Sequence, residues 1–469
     1  MKITISTDAL KRVLKDASRV AERRTTIPVL SHVLLECEPQ GIRLSVTDLE
    51  ISRQQFTPYA SPIRAEDFEP WARAVPLKSL EALLPTTAKR VKASPVVILT
   101  PSESDDSEVR DDAIFVSIGG ASTMLRTLPT EDFPVLPFAP PRYTDKRPTG
   151  KTVSELLDPA VIPGKGFRET VKKIFSAIST EESRFQLSGA FFELNGKLRM
   201  GATDGHRLNR SETDYLVGPE LDLLPESELA FMVPRKALDC LRQDSAFGTT
   251  KRRVKDGVLK SGPRKGEDKF RNVTTWPDVY LSATDVHVFF EAPGVRYVAR
   301  ILEGEYPDIE RVIKKEEPSL TVTTDAETLR ATMLSIAHMT GDRARAIRME
   351  LGGKLPVFSA ANPDKGTSTA EMNGNTKMAG RLKWNRRKKA TKAAREKMTP
   401  YEIECLKATE ATPDERVESL GINPDYILAA VSELQPDDEV SLCFYSATDQ
   451  MLIKIADASE IRVIMPIRL

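Results

Sequence analysis

The sequence predicts an α+β protein built from three repeated domains, each with β-sheet on one side and two helices on the other. Three observations carry this. A helix-period stretch followed by strand, tight turn and strand occurs three times. Marker residues keep one period: Glu36, Glu193 and Glu350 are 157 apart (193 − 36, 350 − 193), and Asp48, Asp204 and Asn362 are 156 and 158 apart (204 − 48, 362 − 204). A second amphipathic helix recurs later in each unit.

The first helix, Thr7 to Arg23, places Leu10, Val13, Leu14, Ala17 and Val20 on one face, with Thr7 or Asp8 as its cap. Val33 to Ser52 then reads as a strand pair. In the second repeat, Phe167 to Ser179 turns Val171, Ile174, Phe175 and Ile178 inward, and Ala190 to Asn209 is the strand pair around Asn195-Gly196. In the third, Ala326 to Met339 presents Leu329, Met333, Ile336 and Ala337, and Ala346 to Gly366 pairs around Gly352-Gly353. The later helices start near Val75, Val233 and Ile422. Short alternating strands follow, at Asp112–Ile118, Val286–Ala292 and Met451–Asp457. Domain limits of 1–140, 150–316 and 317–469 follow from the Pro-rich, charged linker at 138–151 and the short KKEEPS at 314–319.

Composition bounds the function. Lys+Arg and Asp+Glu are both 68 in 469 residues, so no whole-surface coating of nucleic acid is implied, although a basic face offset by an acidic one is allowed. No run reaches the 18 or more apolar residues of a membrane span, and the N-terminus has no apolar signal core. Cys37, Cys240, Cys405 and Cys443 are widely spaced, without CxxC, which favours reduced thiols and a cytoplasmic setting. Insertions interrupt the repeats: an acidic one at Pro101–Asp112, a basic one at about 250–271, and the longest at about 373–418, with RLKWNRRKKATKAAREK. Each reads as a solvated segment or a nucleic-acid contact. Trp384 amid eight Lys/Arg between Arg381 and Arg395 favours the second for the last insertion.

Several motifs resemble the bacterial DNA polymerase III beta subunit, the beta sliding clamp family. RRTTIPVLSHVLLE (Arg23–Glu36), GIRLSVTDLEIS, ATDGHRLNRSE (Ala202–Glu212), LEGEYPDIERVI (Leu302–Ile313) and the terminal VIMPIRL lie in family order across all three repeats. The resemblance implies three DNA-clamp domains with helices inside and sheets outside, closing head-to-tail as a homodimeric ring of twelve inner helices. Helices spaced about 9–10 Å apart make a circle roughly 36 Å across, leaving a hole of about 26 Å. Duplex DNA would pass through with loose, sequence-blind contacts. The chain would then be a non-catalytic processivity factor that tethers the replicative DNA polymerase, the clamp loader and clamp-binding repair proteins, associated with the nucleoid. A non-ring nucleic-acid-binding regulator, or a spare or mobile-element clamp with altered partners, are the alternatives.

The resemblance also implies sites. DNA-facing bases would be Lys11, Lys15, Arg19, Arg24, Lys78, Lys172, Lys173, Arg184, Arg235 and Lys236, although solvated surface lysines give the same pattern. The last helix has Asp425 and Glu433 but no base. A partner-peptide pocket would be lined by Leu187, Thr203, Gly205, His206, Arg207, Leu208, Pro307, Arg311, Val312, Asn423 and Tyr426. The run Val463, Ile464, Met465, Pro466, Ile467, Arg468 and Leu469 would complete it, an apolar concavity with a few polar directors. Core packing is the competing role for these residues. Ala344 stands where a larger aromatic side chain can occur. The subunit seam would bring His338 and Met339 against Ser122–Arg126. An Asp204–His206 catalytic pair is disfavoured, because no nucleophile or metal cluster accompanies it. No catalytic residue, metal or cofactor is expected.

Overall fold

Period-two burial makes the strands and period-3.6 burial makes the helices. In strand His32–Glu38 burial alternates strictly, with Val33, Leu35 and Cys37 inward. The first helix buries Leu10, Val13, Leu14 and Ala17, spaced for one helical face. The structure is a computed structural model. It describes residues 3–467 except 23, 62, 65, 67, 85–95, 102–112, 119–120, 139–158, 182, 217–228, 259–267, 342–344, 363, 383–418, 447–448 and 456–459, with backbone alone at 96–101, 229, 250–258 and 268–272. The acidic insertion beyond Pro101, most of the long third insertion with Trp384, the first linker beyond Phe138, Ala344, Cys405, Arg468 and Leu469 therefore lie outside the described residues.

Six α-helices are described, two in each repeat: α1 (Thr7–Ala17), α2 (Leu77–Leu83), α3 (Gly164–Phe175), α4 (Arg235–Gln243), α5 (Ala326–Ala337) and α6 (Pro424–Val431). They pack in pairs, α1 on α2, α3 on α4 and α5 on α6. The fold is α+β, with the two-helix domain repeated three times. Four details differ from the sequence reading. Neither Thr7 nor Asp8 caps α1; Ser6 holds the cap position and makes no side-chain bond there. The first helices of the three repeats end at Ala17, Phe175 and Ala337, before the residues expected to close them. The Gly352-Gly353 turn is part of a six-residue connection between Glu350 and Val357, because Pro356 delays the second strand. Phe175 is half-buried, with the guanidinium carbons of Arg235 and Arg242 at 4.4 and 4.1 Å from its ring centroid.

By contacts the chain divides into two compact units. The first comprises Met1–Phe175, Gly189–Arg199 and Thr213–Gly304, and the second Ser176–Ser188, Met200–Glu212 and Glu305–Leu469.

The first unit contains an eight-stranded antiparallel run. Its order is Ala72–Pro76, His32–Glu38, Gly41–Thr47, Ile51–Pro58, Val295–Arg300, His287–Ala292, Val279–Ala283, Ala160–Ile162. Strand Ile51–Pro58 of the first repeat pairs with Val295–Arg300 of the second, Arg53 opposite Tyr297. Arg53 is fully buried there. Its Nε donates to Asp244 Oδ2 at 2.7 Å, and the Tyr297 hydroxyl donates to the same oxygen at 2.6 Å. Burial pushes the Asp244 carboxyl up, and the Arg53 guanidinium more than offsets this, holding it below the usual range. Ser245 bonds the Asp16 carboxylate through its backbone N–H at 3.2 Å and its hydroxyl at 2.5 Å.

The second unit has the order Arg207–Thr213, Glu460–Ile464, Met451–Ile455, Glu439–Phe444, Leu320–Asp325, Lys377–Gly380. Here Arg207–Ser211 of the second repeat pairs with Glu460–Ile464 of the third. Leu329, Met333, Ile336, Phe358, Ile427 and Leu442 share one core with this sheet.

The repeated marker Asp48, Asp204 and Asn362 has one local cause. Each side-chain oxygen accepts backbone N–H groups two and three residues on, at 3.0 and 2.6 Å for Asp48, 2.9 and 2.9 Å for Asp204, and 2.9 and 3.2 Å for Asn362. It closes the turn after the second strand in all three repeats.

Candidate functional site

Every described residue of the expected peptide pocket falls within the second unit. Its centre is the turn Thr203–Arg207. The Thr203 hydroxyl donates to the Arg207 carbonyl at 2.7 Å and accepts the Gly205 N–H at 3.1 Å. Gly205 has φ +86°, a conformation that suits glycine. Asp204 also accepts from Arg207 Nε at 2.9 Å. That bond aims the guanidinium over Tyr426, whose ring centroid is 4.5 Å away. Burial raises the Tyr426 hydroxyl, with the Asp204 charge adding to the effect. Tyr426 is presented by α6, whose cap Asn423 accepts the Asp425 N–H at 2.9 Å.

The C-terminal run is fastened to the same place. The Met465 N–H donates to the His206 carbonyl and the Ile467 N–H to the Gly421 carbonyl, both at 2.8 Å. Leu208, Val463 and Ile464 are buried strand residues that form the floor behind the turn. His206, Pro307, Arg311 and Met465 are exposed, and Leu187, Val312, Tyr426, Pro466 and Ile467 are half-buried. The result is an apolar surface bordered by Arg207, His206 and Arg311.

Supporting residues were not visible in the sequence. Tyr306 accepts the Thr203 N–H at 2.9 Å, and burial raises its hydroxyl. Arg210 pairs with Glu310, and Gln450 donates to the Val312 carbonyl at 2.7 Å. Ile309 closes on Gly201 so tightly that an added Cβ would meet it at 2.4 Å. These partners are about 100 or more positions apart in the chain, so no local pattern announces them. Tyr306 and Glu310 lie inside the Leu302–Ile313 motif, the nearest thing to a signal in the sequence.

The candidate DNA residues differ in exposure and in the partners that hold them. Arg24, Lys15, Lys78 and Lys172 are exposed, and Lys11 and Lys173 are half-buried. Arg19 pairs with Asp16. Arg235 stacks on Phe175 and donates to its carbonyl at 3.3 Å. Lys236 pairs with Asp48 and donates to the Val20 carbonyl at 3.3 Å. Arg184 reaches the turn of the pocket, donating to the Asp204 carbonyl at 3.0 Å and pairing with Glu181 at 3.3 Å. Asp425, the acid on the base-free last helix, pairs with Arg345 at 2.5 Å.

Comparison with known proteins bears on this arrangement. Residues 1–137 match the family described as DNA polymerase III beta subunit, N-terminal domain. The beta sliding clamp of Pseudomonas aeruginosa is 26% identical over 374 residues, covering 79% of this chain and 84% of its own. That of Vibrio cholerae is 24% identical over 475 residues, covering 100% of both chains. The first 137 residues thus match the N-terminal domain of that family, and the chain along its length is similar to beta sliding clamps. A sliding clamp crystal structure from Pseudomonas aeruginosa superposes with a TM-score of 0.70 at 22% identity over 100% of both chains. One from Bacillus subtilis gives 0.71 at 17% identity over 100% of this chain and 99% of its own. The clamp fold thus holds for the whole chain. Among the described residues, no group of three His, Cys, Asp or Glu is placed to hold a metal, and no helix is long and apolar enough to cross a membrane.

Proposed function

We propose that this chain is a DNA sliding clamp, a non-catalytic processivity factor whose homodimer encircles duplex DNA and tethers the replicative polymerase. The observation that carries the proposal is the Thr203–Arg207 turn with Arg207 over Tyr426 and the C-terminal run fastened beside it. It provides a peptide-sized apolar surface with polar directors on a chain of clamp fold. Clamp loader and repair proteins would use the same surface, and the assembly would sit on the nucleoid in the cytoplasm. The three domains are taken as 1–140, 150–316 and 317–469.

Lys11, Lys15, Arg24, Lys78, Lys172 and Lys173 are the bases proposed to face DNA directly. Arg19, Arg184, Arg235 and Lys236, held by Asp16, the Asp204 carbonyl, the Phe175 carbonyl and Asp48, are proposed to add to the positive field. The seam would use strand Ala121–Arg126, an edge strand with Met124 exposed, against the end of α5 near Met339. The test is topological. Light scattering should give twice 52.1 kDa, and loaded protein should stay on circular DNA but slide off linear DNA. A monomer at working concentration, or equal retention on both, would reject the clamp reading.

A further inference from the structure

The smaller sheet of the second unit runs into the candidate site. Its strand order is Gly366–Glu371, Val357–Asn362, Ile347–Glu350, Ser419–Ile422. Arg348 stands opposite Gly421, and Gly421 in turn bridges to Ile467 of the C-terminal run. Ile347, Met349, Leu420 and Ile422 are buried in the core. Successive strand residues alternate faces, so Arg348 and Gly421 belong to the opposite face of the sheet. Directly opposed residues share a face, which places Ile467 there as well. Arg348 is exposed and Ile467 is half-buried. Gly421 puts no side chain between them. Neighbouring strands lie about 4.8 Å apart, so the backbones of Arg348 and Ile467 are separated by roughly 10 Å, the length of about three residues of an extended peptide.

This border of the site already holds one carboxylate. Arg345, three positions before Arg348, is exposed and pairs with Asp425. Asp425 is the neighbour of Tyr426, whose ring lies under Arg207. Arg345 is thereby engaged within the chain. Arg348 has no hydrogen-bond or ion-pair partner among the described residues, although Glu350 follows it on the same face. A guanidinium is a planar fork of donors that matches the two oxygens of a carboxylate. An exposed guanidinium about three residues from an apolar anchor position suits a ligand that is apolar at one point and anionic a short way along.

We propose that Arg348 is an outlying subsite of the peptide surface, one that takes an acidic side chain of the partner peptide beyond its apolar anchor. The proposal rests on the reading of this surface as a peptide site, and it adds the chemistry of the flanking residues. An apolar side chain packs beside Tyr426, Met465 and Ile467. The peptide then crosses Gly421, and an Asp or Glu about three residues from the anchor meets Arg348. Partners would be ranked by that acid as well as by their anchors.

The experiment uses the full-length protein and three synthetic peptides that share a central Leu-Phe anchor. One carries two Asp three and four residues after the anchor, one carries them as far before it, and one has Asn at all of these positions. Affinities are measured for wild type, Arg348→Gln and Arg348→Glu at low and high salt. One of the Asp peptides should bind wild type about two- to fivefold more tightly than the Asn peptide, the range of an exposed ion pair. The gain should shrink as salt is raised. Arg348→Gln should erase it without changing the affinity of the Asn peptide, and Arg348→Glu should favour a Lys-flanked peptide instead. Equal binding of Asp and Asn peptides to wild type overturns the proposal. So does a gain that survives in Arg348→Gln, which would move the acid to Arg311 or Arg207. Loss of duplex DNA affinity in Arg348→Gln with every peptide affinity unchanged also overturns it, and gives Arg348 to DNA. Failure of all three peptides to bind wild type rejects the peptide site itself and this subsite with it, whereas binding of the Asn peptide without an Asp gain rejects the subsite alone.

Discussion

Thr47-Asp48-Leu49-Glu50 in the first repeat and Thr203-Asp204-Gly205-His206 in the second are the same turn put to different uses. Both threonines accept an N–H two residues on, at 3.0 and 3.1 Å, and both aspartates gather the next two backbone donors. Both turns adjoin a strand that pairs with the following repeat, and both face that repeat's second helix. In the first, the Asp48 carboxylate takes Lys236 of α4, and the strand behind it buries Arg53, Asp244 and Tyr297 together. In the second, Asp204 keeps its own Arg207 and aims it at Tyr426, with His206 and Met465 left exposed. A motif that seals one junction presents a surface at the other. The difference lies in whether the helix opposite offers a cation or an aromatic ring.

The sealed junction is the more costly to break. Asp244→Ala should strand the fully buried Arg53 guanidinium and lower unfolding stability by about 3–5 kcal/mol, read from urea titration. Replacing both charges, Arg53→Met/Asp244→Leu, should recover most of that loss. Equal stability of Asp244→Ala and wild type would mean that the ion pair does not close the junction.

The presenting junction should lose binding rather than stability. Deleting residues 465–469 removes the two backbone bonds to His206 and Gly421 together with the exposed Met465. Affinity for a clamp-binding peptide should fall at least about tenfold, equivalent to about 1.4 kcal/mol, with the dimer intact. Full peptide affinity after truncation would remove the C-terminal run from the site.

Exchanging the third turn residue sharpens the comparison. Leu49 is 56% exposed at φ 76°, a conformation that costs a side-chain-bearing residue roughly 1–2 kcal/mol. Leu49→Gly should therefore raise stability by up to about 1 kcal/mol, once glycine's greater unfolded freedom is subtracted. Gly205→Leu should lower it and displace Arg184, whose Nη1 would lie 2.9 Å from the new Cβ. Matching shifts in melting temperature for the two substitutions would mean that the backbone at one turn relaxes where the other does not.

The smallest expected effect is on pH dependence. Burial lowers the pKa of His32, partly opposed by its bond to the Pro28 carbonyl, and burial with the Arg300 charge lowers that of His287. Both histidines are in the first unit. A depressed folded pKa means that the unfolded chain binds more protons below about 6.5, so this contribution is full above that pH and is lost as pH falls through the folded value. Melting temperature between pH 7 and 5 should fall less steeply in His32→Gln/His287→Gln than in wild type. Parallel curves would place the acid sensitivity elsewhere.

Much of this was legible in the sequence. Leu10, Val13, Leu14 and Ala17 named the buried face of α1, and the spacing of Asp48, Asp204 and Asn362 marked one turn three times. Local chemistry decides both, because helical periodicity and side-chain-to-backbone turns involve residues within a few positions. Lys236 shows where such reasoning stops. Its basic, helical position gave it the same standing as Lys78, yet it is bonded to Asp48, 188 positions away. Phe175 was in the same position, since an apolar residue at helical spacing reads as core until two arginines from another helix are seen to cover it.

The sequence by itself determined the α+β repeat, its period, its turns and the strands' buried faces, since these depend on short-range periodicity and backbone bonding. Tertiary structure alone decided which charges are spent on one another. Arg53 with Asp244 and Tyr297, Arg210 with Glu310, and Arg207 over Tyr426 all join residues that only the pairing of strands between repeats brings together. The physical reason is that a buried or half-buried ion needs a partner within hydrogen-bond reach, and the chain satisfies that need in space without leaving a trace in sequence spacing. The candidate site is what remains where that pairing leaves side chains open to a partner.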